Sequence, residues 1–577
     1  MIRPPSALAA LACLPALLGA ARAPDLRTVD YLLSPVFEAD ALTGLAVEMR
    51  LRGDASGRTL IDLPDTWASE KELWRGVQGF QVEGARAIAA PDPAHRAITA
   101  APGAPLVVRY RVAAGSTREL NMQEVQPFKV HLTPTWFYAS GEAVFAQPHD
   151  GQDRPARFDW AGAPQGFAFA SDLEHLAGAQ GRAASRPGVV GDVGESVLLG
   201  GRDVKVFTLP DGGRAPVRVA ARGRYSFNAA DFARLLDATL KEERAFWRDA
   251  GEPFLVTLGP VDAPPDAVSL GGTGRTDGFM LAVTGRAPLE LLRPLLEHEY
   301  FHTWNARELG GLESGEREPL GYWFSEGFTD FYACRLLVRS GRWTPAEWAA
   351  AWNEMLAAYA ASSVRERADA EVLQAFWSDP DAEKLPYQRG ALLAAVWDAR
   401  LRAATAGRTS LDDVLRAQRL AAKRERPASG ALLFPKVAAR FGLDVGPDLA
   451  RHVERGGAVI LPADVFGPCA MVETSTRPAF ARGWDAEKTS ASGVVTGLDP
   501  ASPAYAAGLR DGMAVIRREA GEVGDATVEY ALRVRDGRQE RVIRFMPVGK
   551  GTITLQQVRL TPGADPAVCA RSLSGLG

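Results

Sequence analysis

Cysteine is scarce in this chain of 577 residues, which has only four. No two of them stand as Cys-x-x-Cys, so a metal site built from thiolates is not expected. Lys and Arg form no block and the net charge is −4, which argues against nucleic acid as a partner. Beyond the amino-terminal segment, no apolar run is long enough to span a bilayer. These absences favour a globular protein, and the length suffices for three or four domains.

The amino-terminal residues have the pattern of a secretory signal. A basic residue, Arg3, precedes the apolar stretch 7–19, and the small residues around Ala23 offer a cleavage site. We therefore expect residues 1–23 to be a signal peptide and the mature chain to be exported, with the bacterial periplasm as its compartment. A lipid anchor at Cys13 is the less favoured alternative, because the segment before it is very short.

Three cysteines follow the predicted signal peptide: Cys334, Cys469 and Cys569. Cys334 is expected to be a buried free thiol. In an oxidising compartment, Cys469 and Cys569 can form a disulfide that closes a long loop and contributes about 4–5 kcal/mol in the chain-entropy model. Two unpaired thiols are the alternative that the sequence leaves open.

The segment Leu291–Asn305 contains His298-Glu299-x-x-His302 in an apolar setting. Residues four apart lie on one face of a helix, so both imidazoles can reach one metal ion. Glu299 projects beside them, where a carboxylate can accept a proton from water. Two neutral imidazoles and one carboxylate suit zinc, with a fourth position left open. Two surface histidines on an ordinary helix are the alternative interpretation of this motif alone.

A second helix is predicted for residues 322–332, which begin shortly after the first motif. It carries Glu326, a carboxylate that can serve as the third metal ligand, and Asp330 one turn further on the same face. Asp330 can accept a hydrogen bond from a ligand histidine and so determine its tautomer. The aromatic residues around this pair favour a buried metal site over a solvated helix face.

Together, His298-Glu-Tyr-Phe-His-Thr-Trp-Asn305 and Trp323-Phe-Ser-Glu-Gly-Phe-Thr-Asp330 resemble the glycyl aminopeptidase family of gluzincin metallopeptidases. The resemblance extends over nearly the whole mature chain. It implies Zn²⁺ held by His298, His302 and Glu326, with Glu299 as the catalytic base. It also implies an N-terminal β domain, a thermolysin-like catalytic domain and a C-terminal PDZ domain.

The expected fold class is therefore multidomain. Short alternating runs such as 45–51 and 106–112 predict an all-β, sandwich-like domain at residues 24–216. A mainly α, thermolysin-like catalytic domain is expected at 217–465 and a PDZ-like β domain at 466–577. The last domain has little room for the second helix that forms one wall of a PDZ groove. We expect it either to capture a peptide by strand addition or to brace the catalytic domain.

The stretch Pro386-Tyr-Gln-Arg-Gly390 is similar to a tyrosine motif at a helix start in the glycyl aminopeptidases and the aminopeptidase N family. By that resemblance, the phenol of Tyr387 stabilises the oxyanion of the transition state. Packing is the alternative role for this tyrosine.

The chain departs from the family pattern at residues 271–275. The family usually shows Gly-Gly-Leu-Glu-His here, with the glutamate binding the free amino group of the substrate, whereas this chain reads Gly-Gly-Thr-Gly-Arg. Gly274 thus stands at the position of the glutamate, and Arg275 adds a charge that repels an ammonium group. Asp277 is a candidate to compensate that charge. The stretch 271–278 is expected to be a loop.

Four histidines lie in the predicted β domain: His95, His131, His149 and His175. None has metal-binding spacing with another in the sequence, so we expect surface or core roles for them.

The predicted function is that of an exported zinc metallopeptidase, an aminopeptidase that prefers small N-terminal residues such as Gly or Ala. Its expected partner is a peptide or protein substrate. Two alternatives remain: a zinc endopeptidase that lacks the free-amine pocket, and a catalytically weak periplasmic peptide-binding or chaperone protein that uses its PDZ-like domain. The sequence predicts no oligomeric state.

Overall fold

The computed structural model describes residues 27–575 except 69, 123, 125–126, 176–187, 210–215, 265–266, 276 and 314. The predicted signal peptide lies outside the described residues. The chain divides into two compact units, the first comprising Met1–Arg118 and Pro127–Val204 and the second Glu119–Gln126 and Lys205–Gly577. No described helix has the length and apolar character that a membrane span requires. The predicted boundaries of three domains stay predictions.

The strands of the described residues form six sheets. In chain order they are β1 Val29–Glu38, β2 Ala41–Arg52, β3 Arg58–Asp62, β4 Val77–Glu83, β5 Ala87–Ala89, β6 His95–Thr99, β7 Pro105–Val112, β8 Leu120–Asn121, β9 His131–Leu132, β10 Trp136–Ser140, β11 Gln147–Pro148, β12 Pro155–Trp160, β13 Ala168–Ser171, β14 Gly188–Val189, β15 Val197–Gly201, β16 Lys205–Thr208, β17 Val217–Ala221, β18 Phe254–Asp262, β19 Leu270–Gly274, β20 Gly278–Thr284, β21 Ala470–Phe480, β22 Ala514–Ala520, β23 Tyr530–Asp536, β24 Gln539–Phe545 and β25 Val548–Leu560.

The first unit is built from three mainly antiparallel sheets, whose strand orders are β14-β12-β1-β2-β7-β4, β13-β15-β10-β9 and β11-β3-β6-β5. Strand β7 alternates between buried and less buried side chains, as expected of a strand with one face on a core. Its inward residues, including Val108 and Tyr110, join Val47 and Met49 of β2 in one apolar cluster. The predicted β character of this region is confirmed.

The second unit contains the sheet β16-β17-β18-β20-β19, with β8 pairing to β18. Strands β17, β18 and β20 run parallel, and every residue of β20 is buried, as is usual where helices cover a parallel sheet. The expectation of a loop at 271–278 is wrong in its first half. Residues Leu270–Gly274 instead pair with β20 as the antiparallel edge strand β19.

Helices predominate between β20 and β21. In chain order the α-helices of the described residues are α1 Val190–Gly194, α2 Ala229–Trp247, α3 Leu292–Phe301, α4 Tyr322–Arg339, α5 Pro345–Ala361, α6 Asp369–Val372, α7 Pro380–Thr405, α8 Leu411–Glu425, α9 Gly430–Ala439, α10 Gly446–Asp448, α11 Ala486–Ser492, α12 Pro503–Ala506 and α13 Pro566–Leu573. Local signals account for several starts. At α5, for example, the Thr344 hydroxyl accepts from the backbone of Glu347, whose carboxylate accepts from the backbone of Thr344.

Helices α4 and α7 pack closely because two glycines meet where they cross. A Cβ added at Gly327 of α4 would lie 2.4 Å from Cα of Gly390, and one added at Gly390 of α7 would lie 1.8 Å from the carbonyl oxygen of Trp323. Such distances leave no room for any side chain. The crossing brings the part of α4 around residue 326 close to the part of α7 around residue 387.

The C-terminal part contains the pair β21-β25 and the three-stranded sheet β22-β23-β24. Between β22 and β23, residues 521–529 are described and form turns without a helix. The long strand β25 packs on α5, where the Asn353 side chain both donates to the carbonyl of Val558 and accepts from its N–H. Cys469 and Cys569 form a disulfide, so of the two alternatives for this pair the bonded one is observed. Cys334 is a free thiol.

Candidate metal centre and active site

Three side chains from α3, its C-terminal end and α4 converge on one point. His298 Nε2 lies 3.0 Å from His302 Nε2, and Glu326 Oε2 lies 3.2 Å from the first nitrogen and 3.3 Å from the second. The three predicted ligands are therefore brought together, although no sequence spacing requires Glu326 to approach the histidine pair. Together they form a group of donor atoms that can hold a metal ion.

The spacing of these donor atoms fits a tetrahedral ion. Donors at about 2.0–2.1 Å from a tetrahedral zinc ion are about 3.4 Å apart, since the edge of a tetrahedron is about 1.6 times the centre-to-corner distance. The observed separations of 3.0–3.3 Å are only slightly shorter. Two imidazoles and one carboxylate match the donor set of catalytic zinc sites, which leave the fourth position open.

The outward nitrogen of each histidine is held by an acceptor. His298 Nδ1 lies 2.8 Å from Asp330 Oδ1, and His302 Nδ1 lies 2.7 Å from the backbone oxygen of Asn305. Because an acceptor at Nδ1 requires a proton there, both Nε2 atoms are left as free lone pairs that face the centre. Asp330 thus occupies the position predicted for it, and Asn305 is a partner that sequence reasoning did not identify.

Asn305 also ties the end of α3 to the start of α4. Its buried side-chain amide donates to the carbonyl oxygens of Phe324 and Ser325 and to the hydroxyl of Thr329. These bonds hold the two ligand-bearing segments in one register. The only sequence signal for this role was the position of the asparagine three residues after His302.

The electrostatics of the triad His298, His302 and Glu326 favour positive charge at its centre. Burial by itself would raise the pKa of Glu326, but the neighbouring His302 and His298 outweigh it and hold that pKa well below its usual range. Burial would likewise lower the pKa of His298, yet the neighbouring carboxylates of Asp330 and Glu326 raise it well above the ordinary value. Buried negative charge of this kind is compensated well by a cation.

Glu299 lies beside the triad and is buried. Its Oε2 has no hydrogen-bond partner within the described ranges. Burial raises the pKa of this carboxyl, while His298, His302 and the backbone N–H of Gly274 act in the opposite direction. A carboxylate with one free oxygen beside a metal centre and a raised pKa has the properties of a general base.

Tyr387 approaches the same centre from α7. Its ring stacks on the imidazole of His298 with 6.2 Å between centroids and 9° between planes. Burial, followed by the charge of Glu326, raises the pKa of the phenol well above its ordinary value, so the hydroxyl keeps its proton and can donate. The helix starts at Pro380 rather than beside Pro386, which puts Tyr387 in the helix interior instead of at the predicted start.

The residues after Tyr387 have structural roles that the motif did not reveal. Arg389 is fully buried, pairs with Asp369 and donates to the carbonyls of Arg365 and Arg367, while Gly390 permits the close crossing with α4. A glycine inside a predicted helix costs about 1 kcal/mol relative to alanine. Its presence there was the signal that a neighbouring backbone comes very close.

The glycines of β19 bring this edge strand close to α3. A Cβ at Gly272 would lie 3.3 Å from Cγ of Glu299, and one at Gly274 would lie 3.2 Å from Cβ of His302. Position 274 therefore faces the centre, but it carries no carboxylate. Asp277 is buried and its Oδ1 lies 3.3 Å from Arg307, so its charge is engaged by that arginine.

Comparison with known proteins agrees with this geometry. Residues 292–378, which include the triad and Glu299, match the model of the family described as M61 glycyl aminopeptidase. The match confirms the resemblance and the enzyme class predicted from the sequence, a metallopeptidase. The comparison with curated proteins found no match.

Among solved structures, the chain is similar to an aminopeptidase N family protein from Idiomarina loihiensis, with 14% identity and a TM-score of 0.67 over 95% of this chain and 100% of that one. At this identity the likeness shows the fold alone, a multidomain one with many β-sheets and a helical region. An M1 zinc metallopeptidase from Deinococcus radiodurans has a TM-score of 0.47 at 18% identity over 76% of this chain and 96% of that one. Legionella pneumophila aminopeptidase A has a TM-score of 0.46 at 10% identity over 95% of this chain and 58% of that one.

Proposed function

We propose that this protein is an aminopeptidase that removes small N-terminal residues, Gly or Ala, from peptides, and that Zn²⁺ is its metal. The observation that carries the proposal is the set of three donor atoms at 3.0–3.3 Å from one another, with the Glu299 carboxylate beside them. The match of residues 292–378 to a family described as glycyl aminopeptidase supports the substrate class.

In the proposed mechanism, His298, His302 and Glu326 hold the metal, and Asp330 keeps His298 in the tautomer that binds it. A zinc ion held there would supply a Lewis acid, which would polarise the scissile carbonyl and lower the pKa of a water molecule. Glu299 accepts a proton from the attacking water and delivers it to the leaving amine. The same residue thus performs both proton transfers.

The phenol of Tyr387 donates a hydrogen bond to the oxyanion that develops on the carbonyl. Its stacking on His298 supports this role, because the stack fixes the ring beside a metal ligand. Lys384 Nζ lies 4.7 Å from the centroid of the same ring. Removing one oxyanion donor from an enzyme of this type costs on the order of 100-fold or more in turnover.

A zinc endopeptidase is the second candidate, and it is favoured by one observation. Position 274 faces the centre without a carboxylate, and the nearby Asp277 is paired with Arg307. If no other acid binds the amine of the substrate, the chain would cut internal bonds. The third candidate, a binding or chaperone protein with a vestigial site, is disfavoured because the ligand, base and tyrosine positions are all filled by competent side chains.

We propose that residues 466–577 form a PDZ-like domain that braces the catalytic part. The packing of β25 on α5, the paired bonds of Asn353 and the disulfide support a bracing role. Capture of a peptide C-terminus is the alternative, and the absence of a helix between β22 and β23 in the described residues disfavours it. Export to the periplasm through residues 1–23 remains part of the proposal and rests on the sequence alone.

The test compares short peptides beginning with Gly or Ala with their N-acetylated forms, each with and without a chelator. We expect chelator-sensitive release of the N-terminal residue from the free peptides only. Equal cleavage of the acetylated peptides would establish the endopeptidase instead. If neither set is cleaved by the zinc-loaded protein, the peptidase proposal is wrong and the binding protein is favoured.

A further inference from the structure

A second cluster of potential metal ligands lies in the first unit, in the sheet β11-β3-β6-β5. Asp62 ends β3 and pairs directly with His95, the first residue of β6, and on its other side with Gln147 of β11. His149 follows β11, and its backbone N–H donates to the carbonyl of Leu60. Three neighbouring strand ends therefore present one carboxylate and two imidazoles at the same corner of the sheet.

The distances in this cluster are close to those of a metal site. His149 Nδ1 lies 2.9 Å from Asp62 Oδ1, and His95 Nε2 lies 3.5 Å from the same oxygen. One donor atom from each of the three residues lies within 4.8 Å of the others. Because donors around a tetrahedral ion are about 3.4 Å apart, small side-chain rotations suffice to close the site.

The surroundings of His95 provide an independent observation. Its Nδ1 lies 2.7 Å from Asp92 Oδ1, and that oxygen also accepts from the backbone N–H of Ala94. A carboxylate on the outer nitrogen directs the Nε2 lone pair toward Asp62, the arrangement that orients histidine ligands in metal sites. A simple ion pair between His149 and Asp62 would not require His95 to be oriented in this way.

We infer that Asp62, His95 and His149 form a second binding site for a divalent transition-metal ion such as Zn²⁺. Imidazole nitrogens and a carboxylate suit zinc and related ions better than Mg²⁺ or Ca²⁺. The side chains are 29–44% exposed, so water completes the coordination. The ion would link the β3-β6 pair to the turn after β11 and act as a structural staple. This inference does not depend on the proposed peptidase function.

The test counts metal ions bound to the full-length protein. The protein is stripped with a chelator and dialysed against low micromolar zinc at a pH of about 8, where the ligands lose their protons readily. We expect two zinc ions per chain in the unaltered protein and one in the variant His95→Ala/His149→Ala, which keeps its peptidase activity. We expect His302→Ala also to lose one ion and, unlike the double variant, to lose activity.

Two additional variants separate loss of the ion from unfolding of the sheet and from a general loss of negative charge. Asp62→Asn keeps the shape of the side chain but weakens its donor, so it should lose the same ion without unfolding the sheet. Glu83→Gln, an exposed carboxylate of the same unit that pairs with Arg109, should keep both ions. One ion in the unaltered protein that the double variant still binds, or two in both the double variant and Asp62→Asn, would overturn the inference. If only His302→Ala bound fewer ions than the unaltered protein, the inferred second site would be wrong, and the metal site at His298, His302 and Glu326 would still be supported.

Discussion

Replacing Gly390 by alanine should disable the enzyme through backbone displacement, although position 390 has no part in the chemistry. The new Cβ would lie 1.8 Å from the carbonyl oxygen of Trp323 and 2.9 Å from Cα of Gly327. Real Cβ contacts are not shorter than 3.0 Å, so the two helices must separate by at least 1.2 Å. Glu326 on α4 and Tyr387 on α7 would move with them.

Two opposing effects determine how Gly390→Ala changes the stability of the fold. Alanine favours a helix interior over glycine by about 1 kcal/mol, whereas forcing an extra carbon into a packed crossing costs about 1–3 kcal/mol or more. We therefore expect a net loss of stability of about 0–2 kcal/mol, or more if the helices cannot relax. The effect on catalysis should be larger, because a displacement of about 1 Å in an active site can cost on the order of 100-fold in rate.

The measurement combines thermal unfolding, zinc affinity and kcat/KM for Gly390→Ala. The matched control is Gly321→Ala at the start of α4, where a Cβ would meet nothing closer than Ala431 at 3.7 Å. The control should keep its kcat/KM within a few-fold. If Gly390→Ala were as active and as stable as this control, the close crossing would not be what positions Glu326 and Tyr387.

Three further predictions concern single groups. Glu299→Gln should keep its zinc, measured by metal analysis, but lose turnover by about 10²–10⁴-fold, the usual contribution of a general base; retained turnover would remove Glu299 from that role. Asp330→Asn should weaken zinc binding by about 10–100-fold in competition with a chelator, because the outer nitrogen of His298 loses its carboxylate; an unchanged affinity would contradict this. Cys469→Ser should lower the thermal stability of the second unit in non-reducing buffer, since the disulfide with Cys569 closes a loop with a sequence separation of 100, worth about 4–5 kcal/mol; an unshifted transition would refute the stabilising role.

Features that depend on local spacing were predictable from the sequence. The four-residue interval between His298 and His302 puts both rings on one face of any helix. The start of α5 is likewise set by Thr344 and Pro345, because capping involves only neighbouring residues. Recognition of Glu326 as the third ligand needed its aromatic surroundings and the family resemblance as well.

The prediction of secondary structure from the sequence was wrong where several glycines lie in a strand. Residues 271–274 were expected to form a loop because glycine packs poorly in strands and is depleted there. The sheet nevertheless extends through them, since β20 offers an edge to pair with and the absent side chains let the strand lie close to Glu299. Only the neighbouring elements explain why a stretch with little intrinsic strand preference becomes β19.

The sequence by itself thus determined the chemical identity of the catalytic centre: a histidine pair and its base, readable from intervals of a few residues, and a carboxylate on a following helix, recognised from its surroundings and the family resemblance. Tertiary structure decided the closeness of α4 to α7, the bond from His302 to Asn305, and the meeting of Asp62 with His95 and His149. The last three residues come from separate segments, and Asp62 and His149 are 87 residues apart in sequence. Their proximity follows from strand register, which depends on the packing of the whole sheet and leaves no trace in local spacing.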